Sequence, residues 1–337
     1  MKRPPAFHAK VNPTLPARLL QPFGLAYDLG ARTRIALTRP QHAACPVICI
    51  GNLTLGGAGK TPTALYAARR LKLLGLSPTF LTRGYGGTVR APSRVPDTGA
   101  TADQFGDEAL LLARVAPTIV SANRPKGAAL ATRHETDAIV MDDGFQNPTL
   151  HKDVSILVVD AGAGIGNGLV FPAGPLRMTL SAQAKRAQAL IVIGDGSRAD
   201  PVIERAQDMT VLRGSLAPDP DIARRLEAAR VIGFAGIGRP DKLFTTLREI
   251  GADVVETRSF PDHHVYTRDD ARQLLAAADR TGALLVTTEK DAVRLAGTKD
   301  ADLAELRQRL TVLPVHLRFL TEDAQRFDDL LRRAATC

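Results

Sequence analysis

Short apolar, β-branched runs alternate with helical patterns over the first two thirds of the chain. Continuous apolar strands between helices predict a parallel sheet that is covered on both faces. The predicted strands are residues 47–50, 79–82, 118–121, 138–141, 155–159 and 190–193. The predicted helices are residues 61–74, 107–116, 126–134 and 180–187. The span 83–106 has little periodicity, and a loop of that length in a compact domain is usually functional or mobile.

The pattern starts again after Arg213 and predicts a second, smaller α/β domain. Its predicted elements are strand 230–234, a helix that ends at Gly251, strand 253–257, helix 269–280, and strands 283–287 and 310–315. The stretch "LAPDP" (216–220) is the predicted link. We therefore divide the chain into segment 1–39, domain 40–218 and domain 219–337, and the last helix could pack back on the first domain. The turn "AGIGRP" matches a dinucleotide-binding turn only weakly, and a plain strand-to-helix turn is favoured.

The composition is that of a folded protein with a sizeable core. Of 337 residues, 45% are hydrophobic and 23% are charged. Aromatic residues make up only 4%, without Trp, which argues against aromatic platforms for base stacking. Three cysteines form neither a disulfide framework nor a four-ligand zinc set, which fits a reducing cytoplasm. No apolar run is long enough for a spanning helix, and no clear secretory signal is present.

The net charge of +9 is concentrated near the N-terminus. Segment 1–39 holds seven Lys and Arg residues, Lys2 and Arg3 among them, against Asp28 alone, and leucines lie between them. Such a segment can lie on an anionic membrane surface. It can also be a helix packed on the core with solvated arginines, which composition alone slightly favours. No nucleic-acid partner is expected, because the basic residues are scattered and no binding motif is present.

A glycine-rich turn follows the first predicted strand and opens the first predicted helix. Glycines let successive backbone N–H groups surround a phosphate, and the helix N-terminus adds its positive end. Thr54 stands where the usual pattern has its first glycine. The order of strand, glycines, Lys, Thr and helix predicts a site for a nucleoside triphosphate with Mg²⁺. Its predicted residues are Thr54, Gly56, Gly57, Ala58, Gly59, Lys60, Thr61 and Pro62.

Acidic residues follow the apolar strand in "AIVMDDGFQ". Asp142 and Asp143 lie at the carboxyl end of that strand, the sheet edge at which ligands bind. "DDG" is also good turn chemistry. The phosphate loop favours the alternative, in which a carboxylate here holds Mg²⁺ together with Thr61.

Two further motifs carry groups for acid–base chemistry. In "QFGDEALLL", Asp107 and Glu108 either cap a helix or supply a general base for an acceptor hydroxyl. In "FPDHHVY", His263 and His264 are metal ligands, surface residues or partners that tune a carboxylate. Metal binding is the least expected of these, because no further Cys or His completes a zinc site.

Taken together, these motifs resemble the tetraacyldisaccharide 4′-kinase family. They occur in order over most of the chain, and "DDGFQ" together with the loop sequence is specific. The matching stretches are "GNLTLGGAGKTP" (51–62), "LTRGYGG" (81–87), "GDEALLLA" (106–113), "DDGFQ" (142–146), "FPAGPLR" (171–177), "FPDHHVY" (260–266) and "TTEKDAVRL" (287–295).

The resemblance implies a fold, a reaction and a location. The fold is a P-loop nucleotide hydrolase domain with a mostly parallel sheet, plus a smaller α/β domain, with the active site between them. The reaction transfers the γ-phosphate of ATP, with Mg²⁺, to the 4′-hydroxyl of tetraacyldisaccharide 1-phosphate and forms lipid IVA in lipid A biosynthesis. The substrate implies a peripheral protein on the cytoplasmic face of the bacterial inner membrane. Segment 1–39 is then interfacial, and a monomer is expected.

The resemblance also implies roles for individual residues. Asp107 is the catalytic base with His263 as its partner, and Lys60 and Asp142 join the catalytic set. The metal ligands are Thr61, Asp142, Asp143 and Glu108, and the substrate-binding residues are Gln146, Arg177, Arg83 and Tyr85. One position departs from the family, because Met178 stands where a Glu is usual. A neighbouring carboxylate could replace that acidic group.

Two other classes fit the phosphate loop by itself. A switch or metal-insertion GTPase should carry N-K-x-D, but Lys290 and Asp291 are adjacent in "TEKDA". A partitioning ATPase that binds DNA should show a clustered basic face in its ATPase domain. The observed basic, apolar N-terminus argues against the second class.

Overall fold

Two sheets organise the part of the chain that the computed structural model describes, residues 5–133 and 135–335. Lys2, Arg3, Cys337 and position 134, where one helix was predicted to end, lie outside these ranges. The larger sheet has nine strands: β1 (Val47–Asn52), β2 (Pro78–Thr82), β3 (Ser93–Arg94), β4 (Thr118–Val120), β5 (Ala138–Asp142), β6 (Val154–Asp160), β7 (Ala189–Ile193), β8 (Thr210–Pro218) and β13 (Val315–Phe319). The smaller has four: β9 (Arg230–Ala235), β10 (Asp253–Ser259), β11 (Leu284–Thr287) and β12 (Leu310–Val312).

Helices cover both faces of the larger sheet and flank the smaller one. They are α1 (Leu15–Leu37), α2 (Lys60–Leu73), α3 (Ala102–Phe105), α4 (Asp107–Ala113), α5 (Arg124–Ala131), α6 (Leu180–Ala184), α7 (Asp200–Arg205), α8 (Pro220–Leu226), α9 (Asp241–Glu249), α10 (Arg268–Thr281), α11 (Glu289–Arg294), α12 (Ala301–Arg309) and α13 (Thr321–Ala335). A short 3₁₀ helix spans Ala6–His8. We call the elements around the nine-stranded sheet the P-loop unit and those around the four-stranded sheet the small unit.

The strand order of the larger sheet is β13-β8-β7-β6-β1-β5-β2-β4-β3. Only the edge pairs β3–β4 and β13–β8 are antiparallel. Alternate residues of β1 enter different cores, since Cys49 packs with Leu157 on one face and Ile48 packs with Ile156 on the other. A strand that is buried on both faces needs a continuous apolar run, which is the pattern in the sequence. The predicted α/β fold with a mostly parallel sheet is confirmed.

The structure differs from the predicted elements at several places; the predicted helix 107–116, for example, ends at Ala113. Residues 216–218, predicted to be part of a link, belong to β8, which no continuous apolar run indicates because its residues are mostly half-exposed. The predicted strand 310–315 is two strands, and the second of them, β13, leaves the small unit to pair with β8. The predicted helix 180–187 ends at Ala184.

The chain returns to the P-loop unit at its C-terminal end. Phe327 and Leu331 of α13 are fully buried in the core cluster that also contains Ile48 and Leu65. Arg70 of α2 forms an ion pair with Asp328. The last helix therefore packs on the helix that follows the phosphate loop.

Helix α1 docks on the P-loop unit through its small and polar residues. Ala17, Gly24 and Asp28 are buried. A Cβ atom on Gly24 would lie 2.7 Å from the carbonyl oxygen of Val170, so glycine permits the close approach. Asp28 accepts a hydrogen bond from the backbone N–H of Thr179 at 2.8 Å. The large apolar side chains of α1 stay outside, namely Leu15, Leu19, Phe23, Leu25, Leu29 and Leu37.

Among the described residues, no helix combines the length and the apolar character needed to cross a membrane.

Candidate active site

The phosphate loop connects the end of β1 to the start of α2. Gly56 and Gly59 have φ values of +125° and +93°, which residues other than glycine rarely adopt. A Cβ atom on Gly59 would also lie 2.6 Å from Cδ1 of Ile193. The Asn52 side chain donates to the carbonyl of Gly56 at 2.9 Å and braces the loop. Lys60, Thr61 and Pro62 form the first turn of α2, where the missing N–H of proline costs nothing.

Thr54 lies outside the tight part of this loop. It forms an isolated antiparallel bridge with Leu176, and its carbonyl accepts a hydrogen bond from Nε of Arg177 at 3.3 Å. It is not among the residues with positive φ. The backbone at this position therefore does not need glycine. This explains why Thr54 can stand where the usual pattern has its first glycine.

The Asp142 carboxylate is buried beside the start of α2. It is 1% exposed, and Oδ2 lies 3.4 Å from the Thr61 hydroxyl. Oδ1 has no hydrogen-bond partner among the described residues. Burial is the main cause that raises the pKa of Asp142 to about 7. A buried carboxylate with an unpartnered oxygen next to a threonine hydroxyl is the donor set of a P-loop magnesium site.

Asp143 is held by two cations. Its Oδ1 lies 3.6 Å from Nζ of Lys60, and its Oδ2 lies 3.4 Å from Nη2 of Arg177. Burial acts to raise the pKa of this carboxyl, but Lys60 and Arg177 outweigh burial and lower it. Its φ of +53° turns the chain sharply after β5.

Glu108 lies on the other side of the site and pairs with Lys290. The distance between Nζ and Oε1 is 2.7 Å. Within the described ranges, no group of three or more His, Cys, Asp or Glu side chains is arranged to hold a metal ion. Thr61 and Asp142 fit a magnesium ion whose other ligands are phosphate and water oxygens. The metal roles of Asp143 and Glu108 stay predictions, since both carboxylates are held by cations here.

Asp107 and His263 meet across the two units. Asp107 is the first residue of α4 and is 4% exposed. Its Oδ1 accepts the backbone N–H of Glu108 at 2.8 Å, and its Oδ2 lies 3.0 Å from Nδ1 of His263. His263 has a φ of +58°, and its backbone N–H donates to the carbonyl of Gly236 at 3.0 Å. The small unit thus holds the imidazole against the carboxylate in a strained backbone conformation.

Arg294 of α11 completes this pair and was missed by sequence reasoning. Its Nε donates to Oδ2 of Asp107 at 2.9 Å, and its Nη1 donates to Asp291 at 2.8 Å. Asp291 is fully buried and also accepts from the Tyr266 hydroxyl. The sequence signal that could have indicated Arg294 is the helical spacing in "TTEKDAVRL", which places Lys290, Asp291 and Arg294 within one turn.

These contacts set the pKa values of the pair in opposite directions. Burial acts to raise the pKa of Asp107, but the His263 hydrogen bond and the Arg294 and Lys290 charges hold it well below its usual range. The hydrogen bond to Asp107 raises the pKa of His263 against the effect of burial. The pair therefore favours a carboxylate with an imidazolium.

The remaining predicted substrate-binding residues, Gln146, Arg83 and Tyr85, have different surroundings. Gln146 donates to Oε1 of Gln183 at 2.6 Å, while Arg83 is exposed just after β2. The exposed Tyr85 ring lies 5.2 Å from the His263 ring. Met178 is 2% exposed and its sulfur lies 3.8 Å from Nη1 of Arg186, so this position points into the core.

A phosphate loop, a carboxylate–threonine pair for magnesium and a carboxylate–imidazole pair facing them define a P-loop phosphotransferase. The profile of the tetraacyldisaccharide-1-P 4′-kinase family matches residues 16–336, and the chain belongs to this family.

Relatives and a solved structure agree over nearly the whole chain. The chain is 50% identical over 325 residues to the tetraacyldisaccharide 4′-kinase of Methylobacterium sp. (strain 4-46), covering 96% of this chain and 95% of that protein. It is 46% identical over 333 residues to that of Rhodospirillum centenum, with 98% and 96% covered. The crystal structure of LpxK from Aquifex aeolicus in complex with ATP aligns with a TM-score of 0.71 at 25% identity, covering 94% and 99%.

Proposed function

We propose that this protein transfers the γ-phosphate of ATP to the 4′-hydroxyl of tetraacyldisaccharide 1-phosphate and so forms lipid IVA. Family membership supports the reaction, since the matching relatives are tetraacyldisaccharide 4′-kinases. The observation that carries the proposal is the Asp107–His263 pair, which the two units assemble beside the phosphate loop. A site that only binds a nucleotide, without an acceptor hydroxyl to deprotonate, would not need this carboxylate–imidazole pair.

The nucleotide end of the site would bind and neutralise phosphate charge. The loop Gly56–Gly59 presents backbone N–H groups, and Lys60 can leave Asp143 to reach the outer phosphates because their contact is only 3.6 Å. Thr61 and Asp142 would hold Mg²⁺, which when bound supplies charge neutralisation on the phosphates. Phosphoryl transfer depends mostly on such positioning and neutralisation.

The acceptor end would orient the hydroxyl and take its proton. The bond from the acceptor oxygen to the γ-phosphorus forms while the bond to the β-phosphate oxygen breaks, and the hydroxyl proton passes to the Asp107–His263 pair. Arg294 and His263 make Asp107 a weak base. A weak base is sufficient, because a loose transition state releases the proton late. Closure of the small unit over the loop would exclude water and limit ATP hydrolysis.

The lipid substrate supports a location at a membrane, and the exposed face of α1 supports it as well. Leu19 and Phe23 are 68% and 66% exposed although their helix is docked. The ring of Tyr27, also on α1, lies 5.8 Å from the ring of Phe171, whose segment leads to Arg177 in the site. An outward apolar face that continues toward the site is suited to an interfacial helix. We therefore place the protein peripherally on the cytoplasmic face of the bacterial inner membrane.

The test incubates the protein with ATP, Mg²⁺ and tetraacyldisaccharide 1-phosphate in detergent micelles. We expect phosphate from γ-labelled ATP to appear on the lipid and not on nucleoside or peptide acceptors. ATP turnover without labelled lipid would refute the acceptor assignment. GTP used in preference to ATP would support the GTPase alternative instead.

A further inference from the structure

Two cations of the small unit share one carboxylate at the rim of the phosphate loop. Asp160 is the last residue of β6, the strand next to β1. Nη1 of Arg239 lies 3.3 Å from its Oδ1, while Nη2 of Arg239 and Nζ of Lys242 both contact its Oδ2. Nη2 also donates to the carbonyl of Gly57 in the phosphate loop at 3.1 Å. These contacts join the small unit directly to the nucleotide end of the site.

The position of the two cations is unfavourable unless an anion is close. Arg239 precedes α9 by two residues and Lys242 lies in its first turn. Cations at the N-terminus of a helix oppose the helix dipole. Asp160 is the anion that contacts both cations, and Asp241, between them in sequence, is the first residue of α9. Two cations held by one carboxylate therefore lie beside a loop whose backbone is built to bind phosphate.

The cations are more accessible than the carboxylate that holds them. The Arg239 and Lys242 side chains are 36% and 47% exposed, whereas Asp160 is 8% exposed. Asp160 is itself fixed, because Oδ1 accepts the backbone N–H of Ala163 at 2.9 Å. The contacts to Asp160 and Gly57 use three of the five N–H donors of a guanidinium. Among the described residues, the other two donors are left for a ligand.

We propose that Arg239 and Lys242 bind the phosphate groups of the nucleotide in exchange for Asp160, the carboxylate that holds them here, so that the small unit supplies part of the nucleotide site. The ligand class is a nucleoside di- or triphosphate, and the assignment rests on the proposed kinase function. Arg239 and Lys242 are then phosphate-binding residues, and Asp160 is the carboxylate that they leave when the nucleotide binds. The turn between β9 and α9, for which the sequence favours a plain strand-to-helix turn, becomes part of the site.

The test compares two variants for which the proposal expects different changes in the Kd for ATP. Arg239→Gln removes a phosphate contact, so we expect the Kd for ATP with Mg²⁺ to rise about tenfold, as for a hydrogen bond to a charged group. Asp160→Asn keeps the acceptor for Ala163 but removes a charge that repels phosphate and releases both cations. We expect its Kd to stay within about threefold of the wild-type value or to fall. Calorimetric titration of the full chain, without lipid, measures both.

If the ion pairs of Asp160 only join the two units and no cation contacts phosphate, the titrations would give a different result. If Arg239 only ties the units together, Arg239→Gln and Asp160→Asn break the same ion pair and weaken ATP binding alike, which overturns the proposal. Lys242→Met is a second variant that should fold, since its side chain is half-exposed, and we expect a Kd several times higher. Unchanged ATP binding in both cation variants also overturns the proposal.

A matched control lies on the same unit, away from the loop. Arg272→Gln breaks an exposed ion pair between α10 and α12 and should leave the Kd for ATP unchanged. Because ATP binding is measured without the acceptor, failure of the proposed function is a separate result. A wild-type protein that binds ATP but does not phosphorylate the lipid would refute the reaction and leave the nucleotide contacts to be judged by these titrations.

Discussion

At the scale of the residue, Asp107 is the most constrained side chain of the site. Both of its oxygens are occupied, Oδ1 by a backbone N–H of α4 and Oδ2 by His263 and Arg294. The N-cap of α4 is Gly106, so Asp107 does not cap the helix, but its Oδ1 does accept a free backbone N–H of the first turn. The contacts of Oδ2 go beyond capping, because both partners come from another unit.

Replacement of Asp107 tests its assignment as the base. We expect Asp107→Asn to lower kcat for lipid phosphorylation at least about a hundredfold, the usual contribution of a general base, with ATP affinity nearly unchanged. Transfer of label to lipid and calorimetry with ATP measure the two effects. Asp103→Asn, an exposed acid on α3, is the matched control. Normal turnover by Asp107→Asn would rule out the base assignment.

The pH dependence of stability tests the ion pair itself. The lowered pKa of Asp107 adds stability above about pH 4 that is lost as pH falls, and the raised pKa of His263 adds stability below about pH 6.5 that is lost as pH rises through the folded pKa. We expect His263→Gln to lower the urea midpoint most between about pH 4 and pH 6.5. This decrease in the midpoint should be smaller at pH 8.5.

The Asp107→Asn variant supplies the control for this comparison, because His263 then lacks its carboxylate partner. In that background, the effect of His263→Gln on the urea midpoint should differ much less between pH 5.5 and pH 8.5. A His263→Gln deficit that is as large at pH 8.5 as at pH 5.5 would show that packing and not charge holds the pair.

At the scale of the element, α1 reverses the usual arrangement of an amphipathic helix. Its buried contacts come from Ala17, Gly24 and Asp28, and most of its leucines face outward. Helix α1 packs on the core, as one of the two interpretations of segment 1–39 predicts, and it still exposes an apolar surface, so the membrane interpretation stays a prediction. The buried Asp28 carboxylate has its cationic partner on the same helix, because Nε of Arg32 lies 2.9 Å from its Oδ2.

Acidic substitutions on this face test the membrane proposal. Leu19→Glu with Phe23→Glu should reduce partitioning onto vesicles of anionic phospholipid at least about tenfold, because two large apolar side chains no longer enter the interface. Vesicle sedimentation measures the bound fraction. The matched control is Leu73→Glu, an equally exposed leucine at the end of α2. Equal partitioning of all variants would contradict an interfacial α1.

At the scale of the whole molecule, the end of the chain stabilises the nucleotide site. Phe327 of α13 is fully buried, and its ring lies 5.5 Å from those of Tyr66 and Phe319. Tyr66 belongs to α2, the helix that begins with Lys60. The P-loop unit is therefore closed by residues that follow the small unit in sequence.

Truncation of this aromatic contact tests that closure. We expect Phe327→Ala to lower the free energy of unfolding by about 3–5 kcal/mol, the cost of a cavity in a packed core. Urea unfolding followed by circular dichroism measures it, and ATP affinity should fall with it because α2 loses support. Leu320→Ala, at a side chain 78% exposed, should change neither quantity. A stability loss confined to the small unit would contradict this account.

Sequence reasoning predicted the features that local pattern controls. Strands such as β1, β5 and β6 are buried on both faces, so a continuous apolar run is enough to indicate them. The phosphate loop was predicted because its residues are contiguous and its glycines are required by backbone conformation. Strand β8 was missed because its residues are mostly half-exposed, and no local pattern could show that β13 crosses to the other sheet.

The sequence by itself therefore determined the P-loop fold, the loop that surrounds phosphate and the family, since contiguous motifs specify backbone geometry and the chemistry it carries. Only the tertiary structure decided which distant charges meet. The resemblance to the family had already implied His263 as the partner of Asp107. The pairing of Asp107 with Arg294, and of Asp160 with Arg239 and Lys242, depends on how the small unit sits on the P-loop unit. Ion pairs between residues 79 to 187 positions apart leave no local pattern, because the fold and not the spacing brings them within bonding distance.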